Sequence, residues 1–446
     1  MRKNFITMGA MTNPAAGLVI EDTHFLKWNG NPISLYGVSN FWITGDPDVV
    51  ITTLFDEFQS HSSNLHRCSL LSHVVGKRAG LSQTDVIYPF ARSATAGAND
   101  GGNKFDLTQL NSTYFTRLGT IASESHARDI IQLLIMWDEI PFESGLARWA
   151  YNPFSDDNNT NTTGLDAADA VSTAGKQYWK DAAGSDTTLR LAQELVFDAV
   201  LDEFAPYGNL LVAISNEYTG TDAWSEGWHD RVVAYNAANG TNLLTVGMLY
   251  NTRTPDYDPT WTDVWSPDTW DAATFLKSWK TLVPVVSHKI PGDEDWLTNV
   301  DTARAHWWNS FIYGAAGEGD DSQDGDAPPM QWTEAGSAAA LDEIANFHSI
   351  VNTVPFNILY PEDATTVIGT LKPWRYAADS VYVGFFESGG SDTTDLSATT
   401  GTYSVTWYDA ENSANQTESN RSSMGATESF TSPYSTNDAV LVLRKQ

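Results

Sequence analysis

Two textures of apolar and polar positions alternate along the chain. Short, nearly continuous apolar runs end in polar residues, and between them lie stretches where apolar positions recur at about 3.6-residue spacing. The clearest run is Leu210-Leu-Val-Ala-Ile-Ser-Asn-Glu-Tyr218, with β-branched Val212 and Ile214 ahead of Asn216-Glu217. Such a run predicts a strand of a parallel sheet, buried on both faces. Others predict further strands at Asn64–Leu70, Ile130–Met136, Leu243–Leu249, Thr262–Trp265, Leu282–Ser287 and Ser310–Gly317. Phe25–Val38 reads as a hairpin, turning at Asn29-Gly30, that runs into the first strand of the series. Helical spacing predicts helices over Leu110–His126, opened by Phe105-Asp-Leu, and over Thr187–Phe204, Asp301–Trp308 and Ala338–Val351.

Eight strands alternating with helices, without a fixed-period repeat, predict an α/β architecture: a (β/α)8 TIM barrel over residues 1–350. From about Pro373 the texture changes to short alternating strands at Ser380–Phe386, Gly401–Tyr408 and Asp438–Leu443. That pattern predicts a small antiparallel β-sandwich, and residues 351–446 are assigned to it as an accessory domain. Tyr382, Phe386, Tyr403 and Trp407 alternate as core residues do, so this domain is expected to brace the barrel. Residues 152–175, rich in Asn, Asp, Thr and Ala, are expected to form a long loop over the barrel mouth.

Composition narrows the partners. The 446 residues are 41% hydrophobic and 12% aromatic, which suits a well-packed globular protein. With 56 acidic residues against 25 basic ones the net charge is −31, the wrong sign for nucleic acid or an anionic membrane. An acidic coat with few lysines points to a saline habitat, where salt screens self-repulsion. Cys68 is the only cysteine, so stability must come from packing. No run reaches the ~18 apolar residues of a membrane span, and no membrane insertion is expected. The N-terminus, Met1 to Thr12, makes a poor signal peptide. Asn-x-Ser/Thr sequons at Asn111, Asn158, Asn161, Asn239, Asn415 and Asn420 nevertheless suit an extracellular, surface or virion-associated protein.

The candidate chemistry lies at the predicted strand ends, where (β/α)8 enzymes keep their catalytic groups. Asn216 and Glu217 end the fourth strand, Trp137-Asp138-Glu139 the third, and Arg67 lies in the second. Trp42, Tyr250 and Trp265 complete a set of candidate substrate-contact residues with Arg67, Trp137 and Asp138. The acidic, Gly-rich Glu318–Asp326 reads as a solvated loop that departs from the EF-hand pattern. Neither a cofactor nor a metal is expected, and the oligomeric state is left open.

Taken together, these landmarks resemble the apiosidase-like glycoside hydrolases, a retaining barrel clan member followed by a collagen-binding-type β-sandwich. In the barrel the resemblance rests on Lys104-Phe-Asp-Leu with Tyr114-Phe-Thr-Arg-Leu118, on Trp149, Asn152-Pro-Phe154, Asn158-Asn159 and Asn216-Glu217, and on Arg304, Trp308 and Gly314–Gly317. In the sandwich it rests on Tyr382–Phe386, Gly389-Gly390, Tyr403, Trp407-Tyr-Asp409, Phe430, Pro433, Asp438 and Leu441–Leu443. The resemblance implies hydrolysis of a carbohydrate substrate or surface glycan. It makes Glu217 the general acid/base beside Asn216, with Arg67 bracing the catalytic carboxylates.

One departure stands out. The clan places a nucleophilic Glu at the end of strand seven, where this chain has Pro284-Val-Val-Ser-His-Lys289. A retaining site needs two carboxyl groups about 5–5.5 Å apart, and His288 offers no anionic oxygen. Three arrangements follow. A carboxylate from elsewhere (Glu139, Asp138, Asp293, Glu294 or Glu318) serves as nucleophile, or the enzyme inverts, or the barrel has kept glycan binding and lost hydrolysis, as a surface or virion adhesin would. A metal-ligand role for His288 is a fourth idea.

Overall fold

The computed structural model describes residues 17–21, 25–40, 43–71, 85–138, 149–165, 184–216, 222–249, 261–267, 285–287, 300–319, 335–361, 374–377, 380–395, 400–422 and 427–446. A three-stranded antiparallel sheet leads in: β1 (Leu18–Glu21), β2 (Phe25–Trp28) and β3 (Asn31–Ile33). Its hairpin turns at Asn29 (φ 49°) and Gly30 (φ 81°). Two successive positive φ values are what a two-residue type I′ turn requires, and an Asn-Gly pair adopts them at little cost.

β4 (Tyr36–Ser39) and β5 (Leu65–Ser69) begin the parallel barrel, with α1 (Ile51–Ser60) between them. In α1, Ile51, Leu54, Phe55 and Phe58 are buried, the i, i+3, i+4, i+7 stripe of a helix laid on a sheet. Gly37 of β4 lies where a Cβ would stand 1.7 Å from the Leu65 carbonyl oxygen, so only glycine lets these strands meet. A hairpin of β6 (Phe90–Ala96) and β7 (Asn103–Leu110) then precedes α2 (Ser112–His126), whose Asn111 cap accepts from the Thr113 N–H at 3.1 Å.

The barrel continues through β8 (Ile131–Asp138), α3 (Thr188–Phe204), β9 (Leu210–Asn216), α4 (Asp222–Asn239), β10 (Leu244–Leu249), β11 (Val264–Pro267) and β12 (Val285–Ser287). After α5 (Val300–Ile312), β13 (Ala315–Gly319) closes it by pairing with both β12 and β4. The closed order is β10-β11-β12-β13-β4-β5-β8-β9, all parallel, as a (β/α)8 barrel demands.

Two sequence expectations are corrected. Ser310 to Ile312 belong to α5, and the eighth strand starts only at Ala315. Trp307, Trp308, Phe311 and Ile312 are all buried at helical spacing, and Gly314 (φ 88°) ends the helical run. Phe105-Asp-Leu lies in strand β7 and does not open α2.

α6 (Ala335–Val351) leads to the C-terminal part: β14 (Tyr360–Pro361), β15 (Trp374–Ala377), β16 (Val381–Phe386), β17 (Ser391–Asp395), β18 (Thr402–Asp409), β19 (Asn415–Ser422), β20 (Thr427–Thr431) and β21 (Ala439–Lys445). They form a six-stranded antiparallel sheet, β14-β15-β16-β21-β18-β19, and a two-stranded sheet, β17-β20. Trp374, Tyr382, Phe386, Tyr403, Trp407 and Phe430 fill one core between them, which accords with the alternating pattern of the strands.

The other face of the large sheet packs on the barrel. Phe385 stacks on Trp308 of α5 at 6.0 Å between centroids, and Phe347 of α6 packs against the same indole at 4.7 Å. Beside this contact the Arg304 side chain, only 4% exposed, bridges both parts. It donates to Asp301 (2.6 Å), Glu343 of α6 (2.7 Å) and Asp438 at the head of β21 (3.0 Å), and lies 3.5 Å from Glu411.

Candidate active site

Three strand ends bring three polar side chains together. Residues on β5 alternate between faces. His66 packs against Phe55 and Phe58 of α1, while Arg67 reaches the opposite way. Asp138 and Asn216 are register partners at the ends of β8 and β9, so their side chains share a face. The Arg67 guanidinium donates from Nη2 to Asn216 Oδ1 at 2.8 Å, and Asn216 Nδ2 donates to Asp138 Oδ1 at 3.2 Å. All three are buried, at 0%, 1% and 5% exposure.

Electrostatics explains how such polar groups lie out of water. A lone buried charge costs several kcal/mol, but here a guanidinium and a carboxylate flank one neutral amide and balance each other. Hydrogen bonds to charged groups contribute about 1.5–3 kcal/mol each. An arginine has only donors, and an ionised carboxylate has only acceptors. Turning the amide over would set its NH2 against the guanidinium and its oxygen against the carboxylate. Asn216 therefore holds one orientation.

Behind this group lies an aromatic layer. Trp137 is fully buried, 6.4 Å from Phe197 of α3 at 20°, 5.2 Å from Trp228 of α4 and 6.4 Å from Phe154. Arg190 stacks its guanidinium on the Trp228 ring at 3.6 Å. Trp137, expected as a substrate contact, packs within this layer and braces the β8 end. Trp265, in β11, is 6% exposed. Trp42, Glu139, Glu217, Tyr250, His288, Asp293 and Glu294 lie outside the described residues. Glu318 belongs to β13, where its backbone pairs with Gly37, next to the Ser287–Gly317 pair.

The segments following strands two and three belong to the face where barrel enzymes hold substrate, and here they interlock. The β6–β7 hairpin docks on residues 149–165. Phe105 N–H donates to Asn158 C=O at 2.7 Å, and Phe105 C=O accepts from Thr160 N–H at 3.0 Å. Side-chain amides add to this lock. Asn158 Oδ1 accepts from Asn99 N–H at 2.8 Å, its Nδ2 donates to Ala150 C=O at 2.7 Å, and Asn161 Oδ1 accepts from Leu107 N–H at 2.7 Å. Arg92 stacks on Phe105 at 3.8 Å and pairs with Asp100. This part of the expected mouth loop is thus an ordered wall. The clue in the sequence was the cluster of asparagines, whose side chains imitate backbone amides.

Among the described residues no group of His, Cys, Asp and Glu could hold a metal ion, and no helix is long and apolar enough to cross a membrane.

Residues 86–253 match the model of a family described as a domain of unknown function, DUF6298. No curated protein matches the chain in sequence. Among solved structures, a glycoside hydrolase family 5 protein from Bacteroides vulgatus superposes with a TM-score of 0.64, covering 98% of this chain and 95% of its own, at 15% identity. A second, described as a glycoside hydrolase, gives 0.64 over 98% and 99% of the two chains at 13% identity. At such identities the likeness is one of fold. The chain shares their fold, a (β/α)8 barrel followed by C-terminal antiparallel sheets.

Proposed function

We propose that the protein is a carbohydrate-active enzyme that cleaves glycosidic bonds of an oligo- or polysaccharide, with Glu217 as general acid/base. The observation that carries this reading is the Arg67–Asn216–Asp138 chain. It fixes the residue directly before Glu217 at the C-terminal face of the barrel, as a protonating carboxylate requires of its neighbours. A surface or virion-associated location suits its acidic coat and is part of the same proposal.

For the second carboxylate, Glu318 is supported by the barrel register, since it is the next residue after the partner of Ser287. A non-catalytic glycan binder is the second reading. It is favoured by the end of the seventh strand, where Ser287 and then His288 stand in place of a carboxylate.

The test is turnover of a panel of oligosaccharides and 4-nitrophenyl glycosides by the wild type, Glu217→Gln, Glu318→Gln and His288→Glu. Removing the proton donor in Glu217→Gln should slow substrates with poor leaving groups by about 10²–10⁴-fold and spare binding. Unchanged activity in that variant removes the assignment. Glycan-array binding by a wild type that hydrolyses nothing establishes the second reading, and activity gained by His288→Glu would then mark a decayed nucleophile position.

A further inference from the structure

Asp138 is the residue of the buried chain whose part is not yet fixed. A carboxylate at the end of a barrel strand is usually read as a sugar ligand or a nucleophile. Its observed contact points elsewhere. Oδ1 accepts from Asn216 Nδ2 at 3.2 Å, the residue is 5% exposed, and its register partner across β8 and β9 is Asn216 itself. On the far side of the same amide Arg67 donates at 2.8 Å. Among the described residues these are the two side-chain partners of the Asn216 amide.

We infer that Asp138 is a positioning residue: with Arg67 it locks the Asn216 amide so that a single Nδ2 hydrogen remains for the substrate. The inference rests on the hydrolase reading for its kinetic consequences and not for its geometry. The lock needs both ends, because each end excludes the flipped amide by a different mismatch, donor against donor and acceptor against acceptor. Asn216 then offers the cleft a donor alone. The position beside Glu217 selects a substrate that presents an acceptor oxygen, such as a hydroxyl or ring oxygen, over one whose group there can only donate.

The role also separates Asp138 from a sugar-contact residue in kinetics. A ligand to substrate that acts equally in ground and transition states raises KM when removed, whereas misplacing a neighbour of the proton donor lowers kcat.

The experiment uses the full chain labelled with 15N-asparagine. The Asn216 side-chain signal is assigned by its loss in Asn216→Ser, and its hydrogen exchange is measured in wild type, Asp138→Asn and Asp138→Leu. Wild type should show one protected Nδ2 proton. Protection should fall by roughly tenfold or more in Asp138→Leu, the worth of one charge-assisted bond, and by less in Asp138→Asn, whose carbonyl still accepts. Should Asp138→Leu fail to fold, the Asp138→Asn comparison decides. Exchange unchanged from wild type in the folded variants overturns the lock.

In parallel, on the 4-nitrophenyl glycoside the wild type turns over best, Asp138→Asn should lower kcat by about 10–100-fold with KM within about threefold. A raised KM at constant kcat overturns the positioning role in favour of direct contact. If the wild type turns over no glycoside, the hydrolase reading fails, while the exchange measurement still decides the lock.

Discussion

His66 shows what a single position next to the site controls. Its ring lies wholly buried between Phe55, Phe58 and Gln132, with Nδ1 2.8 Å from Gln132 Oε1. Burial lowers its pKa to about 4, against a smaller upward pull from the Gln132 contact. His348, buried against Tyr36 and Phe347, is lowered to about 4 for the same reason. Each native-state value is depressed below the ordinary 6.5, so the native state binds fewer protons than the unfolded chain. Their stability contribution is full above about pH 6.5 and is lost as pH falls towards 4, to the extent of about 3 kcal/mol per histidine. Thermal melts of wild type and His66→Gln between pH 7 and pH 4.5 check this. The wild type should lose more of its midpoint than the variant, and equal losses would show that His66 titrates as it does in water.

The junction between the barrel and the C-terminal sheet is the element with the sharpest electrostatics. Burial raises Glu343 to about 7 despite the opposing pull of Arg304, and Glu411 and Asp301 push it the same way as burial. Asp438 faces the same guanidinium from the C-terminal sheet. A carboxyl raised above its unfolded value contributes stability that is full below about pH 4.5 and is lost as pH climbs through 7. Stability should therefore fall between pH 6 and pH 8 by about 1.4 kcal/mol, and Glu343→Gln should flatten that slope. A variant with the wild-type slope would place the titration elsewhere. Removing the cation in Arg304→Met strands these carboxylates and should cost about 3–5 kcal/mol, read as a lowered midpoint in urea.

The elements themselves were legible to the degree that they are local. Continuous apolar runs marked the buried parallel strands, and Asn29-Gly30 marked its turn. The eighth strand was misplaced because Phe311 and Ile312 are apolar for the sake of a helix, which a run of apolar residues cannot distinguish from a strand. The β6–β7 hairpin escaped notice because its strands are polar and half-exposed. They are held by amide side chains some 50 positions away in the chain, from Asn158 to Asn161. Arg67, Asp138 and Asn216 were each recognisable as strand-end candidates, but the bond joining β5 to β9 exists only once the barrel brings those strand ends together.

Across the whole molecule, several of the residues on which the resemblance rests are scaffold. Lys104–Leu107, Asn158 and Asn159 build the interlocked wall, Arg304, Trp308 and Asp438 tie the two parts together, and Trp407 and Phe430 fill the sheet core. The surface is left to charge. Fifty-six carboxylates against 25 cations repel one another most when folded, because folding brings them closer together than in the open chain. Among the described residues, short ion pairs such as Arg231 with Asp198 and Glu194 or Arg128 with Asp56 and Glu124 engage some of them. Screening acts on the remainder. The Debye length falls from about 10 Å at 0.1 M salt to about 3 Å at 1 M, which is shorter than most spacings between surface charges. The melting midpoint should rise clearly between these two conditions, in sodium chloride and potassium chloride alike, since the effect depends on ionic strength and not on a bound cation. A midpoint that stays level or falls would mean that the surface carboxylates are spaced or paired well enough to need no screening, and the case for a saline habitat would lose its physical basis.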